Sequence, residues 1–293
     1  MFRTESFDPL DPRIDLGDRI EDGIRWIVST FSVVFDGIQN GLEGAFDAMD
    51  TVLETPHFLI MIALFAALAW GVRSWKLAVV TVVGFYIIAA VDQWSEAMYT
   101  LAMVLVAAGL AVALSIPIGI WAAKSSSVSN AVRPVLDFMQ TMPPLVYLVP
   151  AIVAFGVGVT GGIVATIVFA MPPGVRFTEL AIRQVDAEVV EAGLAFGSTP
   201  RRILRQIQLP LAMPTIMAGI NQVIMLALSM VVLTAFIGAH GLGREVRSSL
   251  TRVDLSLGVE GGLAIVILAI YLDRVVAALA DRAPVVRASR VRD

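Results

Sequence analysis

Cysteine is absent from the 293 residues, which excludes disulfides, thiolate metal sites and a cysteine nucleophile. Histidine occurs twice, as His57 and His240, too far apart in sequence for a histidine-rich metal site. Charge is the larger deficit: Asp, Glu, Lys and Arg make up 16% of the chain, against roughly a quarter in an ordinary soluble domain. Apolar residues make up 57%, and mean hydropathy is +0.81. A chain of this length could not hide so much apolar surface from water. An ordinary soluble enzyme and a disordered polymer are both excluded, and the chain reads as membrane-embedded. A net charge of −4 gives no reason to expect nucleic acid as a partner. Residues 1–12 are acidic and contain proline, without a basic segment leading into an apolar one, so no cleaved signal peptide is expected.

The missing charge is concentrated in three runs: 27 residues at 97–123, 37 at 139–175 and 38 at 206–243. A spanning helix needs about 20 mostly apolar residues, so helices are predicted at 97–123, 134–156, 160–178, 213–237 and 259–280. Two apolar runs of 15 residues, 57–71 and 77–91, precede them. They are short spans or a re-entrant hairpin; alternation of sides favours spans. Seven crossings with the N-terminus outside and the C-terminus inside put 14 of the 21 Lys and Arg residues on the inside, as the positive-inside rule asks. The predicted architecture is an all-α, polytopic membrane helix bundle. It divides into an extracytoplasmic amphipathic segment at 1–56, a peripheral hairpin at 57–95, a core at 96–278 and a basic tail at 279–293.

In the first segment Ile24, Ile27, Val28, Phe31, Phe35, Ile38, Leu42, Phe46, Met49 and Leu53 recur at helical spacing. Arg25, Asp36, Asn40, Glu43, Asp47 and Asp50 lie between them. This predicts one amphipathic helix, or two broken near 37–44, lying on the membrane, packed on the bundle or docking a partner. Its acidic polar face argues against simple adhesion to anionic lipid.

The connection at 177–214 is helical in pattern. Asp186 can cap a helix over 187–195, and Gly197 supplies a left-handed terminator. Thr199 and Pro200 start a second helix running to Ile207, and Pro210 and Pro214 lead into the next span. Val189, Leu194, Phe196, Ile203, Leu204 and Ile207 need cover, either from the chain's own bundle or from a soluble partner. The residues alone leave both readings open.

Here the chain resembles a known family. Glu191-Ala192-Gly193, three residues, Gly197, nine residues, and Ile207-Gln208-Leu209-Pro210 are similar to the EAA loop (179–210) of binding-protein-dependent ABC importers, with Gly193 standing where a second Ala is usual. The stretches 133–140, 140–150, 214–222, 227–232 and 237–243 resemble the glycine betaine/proline betaine permease branch, with His240 where a Gly is usual. The resemblance implies a type I, MetI-like permease of the bacterial inner membrane. It implies as partners a second permease copy, two ATPase subunits, an extracytoplasmic substrate-binding protein and membrane lipid. No cofactor is expected in this chain: it lacks the G-x-x-x-x-G-K-[S/T] loop, so ATP and Mg²⁺ belong to the partner ATPase and the chain is not itself an enzyme.

The resemblance also assigns roles. Asp186, Glu191, Ala192, Gly193, Gly197, Ile207, Leu209 and Pro210 would couple to the ATPase. Arg201, Arg202 and Arg205 could bind that partner or anionic lipid, or be ordinary inward-facing positive charge. Pathway candidates for a quaternary ammonium solute are Tyr147, Asn221, Gln222, Met225, Ser229 and Met230; the alternative for each is helix packing or interhelical hydrogen bonding. Asp137, within the expected fourth span, needs a partner. Arg133 and Arg176 are the candidates for an ion pair, and cation binding is the second reading. Other classes are an ABC permease for another small solute such as methionine, an ion-coupled secondary transporter and a channel. A secondary transporter would usually carry a buried charge near the membrane midplane, which the three long spans lack, and a channel gives no reason for the motif in the 177–214 connection.

Overall fold

The computed structural model describes residues 15–281, which contain no β-strand. The N-terminal amphipathic stretch forms α1 (Leu16–Thr30) and α2 (Ser32–Glu54). The break falls at Phe31, earlier than the glycine stretch at 37–44 where the sequence suggested it. Those glycines stay helical because α2 is anchored along its length. Phe35 stacks on Phe155 at 5.3 Å, Phe46 meets Tyr99 at 4.8 Å, and Leu42, Phe46 and Leu53 are buried. Burial overrides the glycine propensity cost of about 1 kcal/mol per residue.

After a bend of 100°, α3 (Phe58–Val72) and α4 (Trp75–Ala90) form a short apolar hairpin. It is fixed by rings against α13 (Leu255–Ala280): Phe85 lies 4.7 Å from Phe65 and 5.1 Å from Tyr271. The core is α5 (Trp94–Lys124), α8 (Val159–Arg183) and α11 (Leu209–Leu233). They approach closely at small residues. A Cβ on Gly119 would stand 2.5 Å from the Cβ of Thr178, and one on Gly219 would stand 2.5 Å from that of Phe177. This small-residue contact suits helices that gain little hydrophobic drive from lipid.

Two expectations need correction. The segment 134–156 is not one helix: α6 (Ser126–Thr141) and α7 (Leu148–Phe155) meet at 111°. Met142 and Pro143 each precede a proline, which disfavours helical backbone, and both are extended (ψ 135° and 139°). The second helix of the 177–214 connection is not separate from the following span either. After α9 (Ala187–Ala195), α10 (Pro200–Ile203) continues through a π-helical turn at Leu204–Gln208 into α11, a rod reaching Ile237. Pro210 follows directly on the π-helical turn, where the backbone already departs from the regular bonding ladder that its ring and missing N–H would break.

α12 (Leu242–Arg252) precedes α13. Among the described residues four helices are long and apolar enough to cross a membrane, or up to six if each bent pair counts as one span; α4 is a shorter apolar helix. α2 carries Asp36, Glu43, Asp47, Asp50 and Glu54 along 23 residues and is read here as a strap lying outside the spans.

The bundle has two distinct ends. At the corner end lie the α3–α4 turn, the close of α5, the start of α6, the close of α8, and α9. Exposed Trp70, Trp75 and Trp121 gather there, as in an interfacial aromatic belt. At the strap end, α2 crosses the starts of α5 and α8. The segments 1–14 and 282–293, including most of the basic tail, lie outside the described residues.

Candidate functional site

The corner is built as its residues dictate. Asp186 Oδ1 accepts the N–H of Glu188 at 2.9 Å, capping α9. Gly197 has φ +77°, and its N–H bonds to the carbonyl of Leu194 (2.8 Å) while that of Ser198 reaches Gly193 (3.1 Å). This is a left-handed helix stop with the freed carbonyls satisfied. Thr199 is extended and its carbonyl accepts from Arg202 and Ile203, but its side chain makes no capping bond. A Cβ on Gly193 would lie 2.8 Å from Cδ1 of Ile207, so a small residue there lets α9 fold back on the rod.

The motif residues therefore divide. Gly193, Ile207, Leu209 and Pro210 are half-buried and hold the corner together, whereas Glu191, Ala192, Leu194 and Phe196 face outward. Phe196 is 90% exposed. Beside it Thr199, Arg201, Arg202, Arg205 and Gln206 line a shallow cleft of about 310 Å³.

The pathway candidates also separate. Gln222 and Ser229 are exposed, and Met225 is half-buried on the same side of α11. Thr215 and Ala218 continue this stripe at helical spacing. It ends at a cleft of about 340 Å³ behind α9, lined by Gln184, Asp186, Val189, Leu211 and Thr215 among others. A polar, small-residue stripe is poorly suited to face lipid. Asn221 instead turns away, its Nδ2 donating to Asp273 Oδ1 of α13 at 3.0 Å. Tyr147 and Met230 are buried in a cluster with Leu148, Ala151 and Ala165. The Tyr147 hydroxyl donates to the carbonyl of Met139, and its ring packs edge-on to Phe169.

Of the two arginines considered for Asp137, Arg176 pairs with it. Arg133 binds Glu179 at 3.1 Å instead. Glu179 was not singled out from sequence. It is 6% exposed, and it also accepts from Ser129 Oγ at 2.7 Å and pairs with Arg183 at 3.0 Å. The i, i+4 spacing of Glu179 and Arg183 was a visible signal. Ser129 and Arg133, some 50 and 46 residues away, gave none. Asp273 was also missed.

At the strap end, contacts run through backbone amides. Glu96 Oε2 accepts the N–H of Gly241 at 2.6 Å, and Thr100 Oγ1 accepts that of Leu242 at 2.8 Å. Together they cap the start of α12. His240 contacts Arg244 at 2.6 Å and lies against the ring of Tyr99, within a local packing arrangement. Among the described residues no group of three or more His, Asp or Glu is placed to hold a metal.

A family model described as "Binding-protein-dependent transport system inner membrane component" matches residues 115–283. The chain belongs to this family. It is accordingly a multi-pass inner-membrane component of a binding-protein-dependent transport system. The glycine betaine transport system permease protein OpuAB of Bacillus subtilis is 48% identical over 264 residues, covering 90% of this chain and 94% of OpuAB. The glycine betaine/proline betaine transport system permease protein ProW of Escherichia coli is 44% identical over 280 residues, covering 94% of this chain and 79% of ProW. A chain in the inward-facing MetNI methionine ABC transporter superposes with a TM-score of 0.56 at 23% identity, covering 64% of this chain and 92% of that one. At that identity the likeness establishes the MetI-like fold.

Proposed function

We propose that the chain is the membrane-spanning permease of an ATP-driven importer for glycine betaine, proline betaine or a related quaternary ammonium solute. Two copies form the passage. Two separate ATPase subunits bind below and an extracytoplasmic binding protein docks above. The chain crosses seven times, with its N-terminus outside and the corner end in the cytoplasm; α3, α4 and the bent α6–α7 pair count as crossings beside the four long helices.

The corner carries this reading. A capped nine-residue helix, a left-handed glycine stop and a turn back into a 38-residue rod present an exposed aromatic and three arginines to a soluble partner. ATP closes the partner subunits, α9 moves with them, and the rod transmits that movement to the passage. Glu191 is placed for a charge-assisted contact with the partner.

A quaternary ammonium nitrogen has no N–H and is held by aromatic faces or electron-rich surfaces. In this reading the binding protein supplies tight capture. The permease needs only weak contacts, which suits Gln222, Met225, Ser229 and Thr215 along α11.

The test is to purify the chain with its ATPase and binding protein and measure ATPase stimulation by glycine betaine, proline betaine, choline, carnitine and methionine. Stimulation by the betaines is expected; stimulation by methionine alone would overturn the substrate assignment. Gly197→Leu is expected to abolish stimulated uptake while membrane insertion survives. Nothing crowds a Cβ at Gly197, so the penalty is the left-handed backbone itself, about 1–2 kcal/mol. Normal uptake by this variant would remove the corner from the mechanism.

A further inference from the structure

α6 is attached to α8 differently from the other core contacts. It buries only Ser129 and Leu136, so apolar packing contributes little. Its hold on α8 is ionic and doubled. Arg133 reaches Glu179, and about one turn along, Asp137 meets Arg176, so each helix supplies one cation and one anion. A cleft of about 260 Å³ lies between the two pairs, lined by these four residues with Leu180 and Arg183.

Glu179 is the node. Its buried carboxylate accepts from Ser129 and Arg133 of α6 and from Arg183 of its own helix. Arg183 in turn donates to the carbonyl of Ala122 in α5 at 2.8 Å. Three helices therefore converge on one acid. Arg183 closes α8, and Asp186, three residues later, caps α9. At its other end α8 packs against α7 and the turn that joins them, where a Cβ on Gly161 would stand 3.5 Å from the carbonyl oxygen of Ala151 in α7 and 2.7 Å from that of Gly156 in the turn. α6, α7 and α8 thus form a closed triangle with one close-packed edge and one ionic edge.

We propose that Glu179 is a positioning residue, and that the double ion pair makes the broken α6–α7 span move as one body with α8 and the α9 corner. This rests on the proposed role of α9 in coupling. Without the clasp, movement of α9 would bend α8 away from α6 and be lost before it reached the α6–α7 bend.

The experiment uses the full complex reconstituted in vesicles, with ATP-driven uptake and ATPase rate measured together. Asp137→Arg and Arg176→Asp singly are expected to lower uptake about ten-fold while ATP hydrolysis continues, and the double exchange to restore most of it, as coupled partners do. Glu179→Gln, which keeps size but loses charge, is expected to uncouple at least as strongly. A second readout needs no transport. The chain has no cysteine, so spin labels at Val135 of α6 and Val189 of α9, introduced into only one of the two permease copies, report one distance. A single narrow distance, with and without nucleotide, is expected in the parent chain, and a broadened one in Arg176→Asp, recovered in the exchange. Full uptake in both single variants, or a distance that broadens in the parent itself when nucleotide binds, would overturn the clasp. An absence of betaine-driven uptake in the parent complex would overturn the proposed function instead, leaving the distance test to judge the clasp.

Discussion

The two ends of the bundle are held by different chemistry. At the strap end, Glu96 and Thr100 accept backbone amides of Gly241 and Leu242, Glu54 is bonded by Ser95 and Glu43 by Thr160. At the corner end, the side-chain contacts between α6 and α8 include two ion pairs, Arg133–Glu179 and Asp137–Arg176. Amide caps demand one backbone geometry and fix a seam. Ion pairs hold the helices through side chains instead, and leave a cleft of about 260 Å³ beside them. The strap end is built as a fixed closure, and the corner end as the place where an external partner can act.

The same contrast appears in close packing. A Cβ added at Gly243, at the strap end, would run into the backbone carbonyl of Val232, which cannot turn aside. One added at Gly193, at the corner end, meets only the tip of Ile207.

The largest expected effect comes from the node of the corner end. Glu179→Ala removes the shared acceptor of Ser129, Arg133 and Arg183; the two arginines are part-exposed and rehydrate, so thermal unfolding in detergent should show a loss of about 2–3 kcal/mol. A loss under about 1 kcal/mol, the range of an exposed pair, would mean that the ionic edge holds nothing. Next is Gly243→Ala, expected to cost about 1–3 kcal/mol through overpacking against backbone. Gly193→Ala should instead be neutral or stabilising by up to about 1 kcal/mol, because helix propensity improves and Ile207 can shift. Equal costs for the two glycines, measured side by side, would erase the contrast between the ends.

The smallest effect concerns the strap. Burial, reinforced by Glu54 and Asp47, holds the Asp50 carboxyl above the usual carboxylate range, and its Oδ1 is buried without a hydrogen-bond partner. Docking of α2 is therefore favoured while Asp50 is protonated and weakens as pH rises through that raised value. Protection of the α2 amides, corrected for the intrinsic pH dependence of exchange, should fall across this window, and Asp50→Asn should remove that fall. Unchanged pH dependence in that variant would assign it to another group.

Much of this molecule was legible before its coordinates. Missing charge located α5, α8 and the rod, and a mostly apolar stretch located α13. Asp186, Gly197 and Pro200 announced α9 and its stop, because caps and left-handed turns are decided within a few residues. The bend at Met142 was hidden for a physical reason: hydropathy records where a chain prefers to lie and not its direction. The run at 139–175 was uniformly apolar across the bend. Pro143 and Pro144 mark the position of the bend but carry nothing of its angle. Glu179 with Ser129, and Asn221 with Asp273, lie 50 and 52 residues apart. Pairings of that range are set by how helices pack, which no local spacing encodes. The break at Phe31 was misjudged because glycine propensity yields to the burial of Leu42 and Phe46.

Among the described residues, an apolar side chain that is 90% exposed is offered at each end: Phe196 at the corner and Val253, in a left-handed turn with φ 54°, between α12 and α13. A chain without cysteine allows Phe196→Cys and Val253→Cys to be compared directly in the assembled complex, each carrying a short thiol-to-amine cross-linker. Cross-linking to the ATPase subunit from position 196 and none from position 253 is the expected result. Cross-linking to the ATPase from 253 with none from 196 would contradict both the orientation of the chain and the role of its corner.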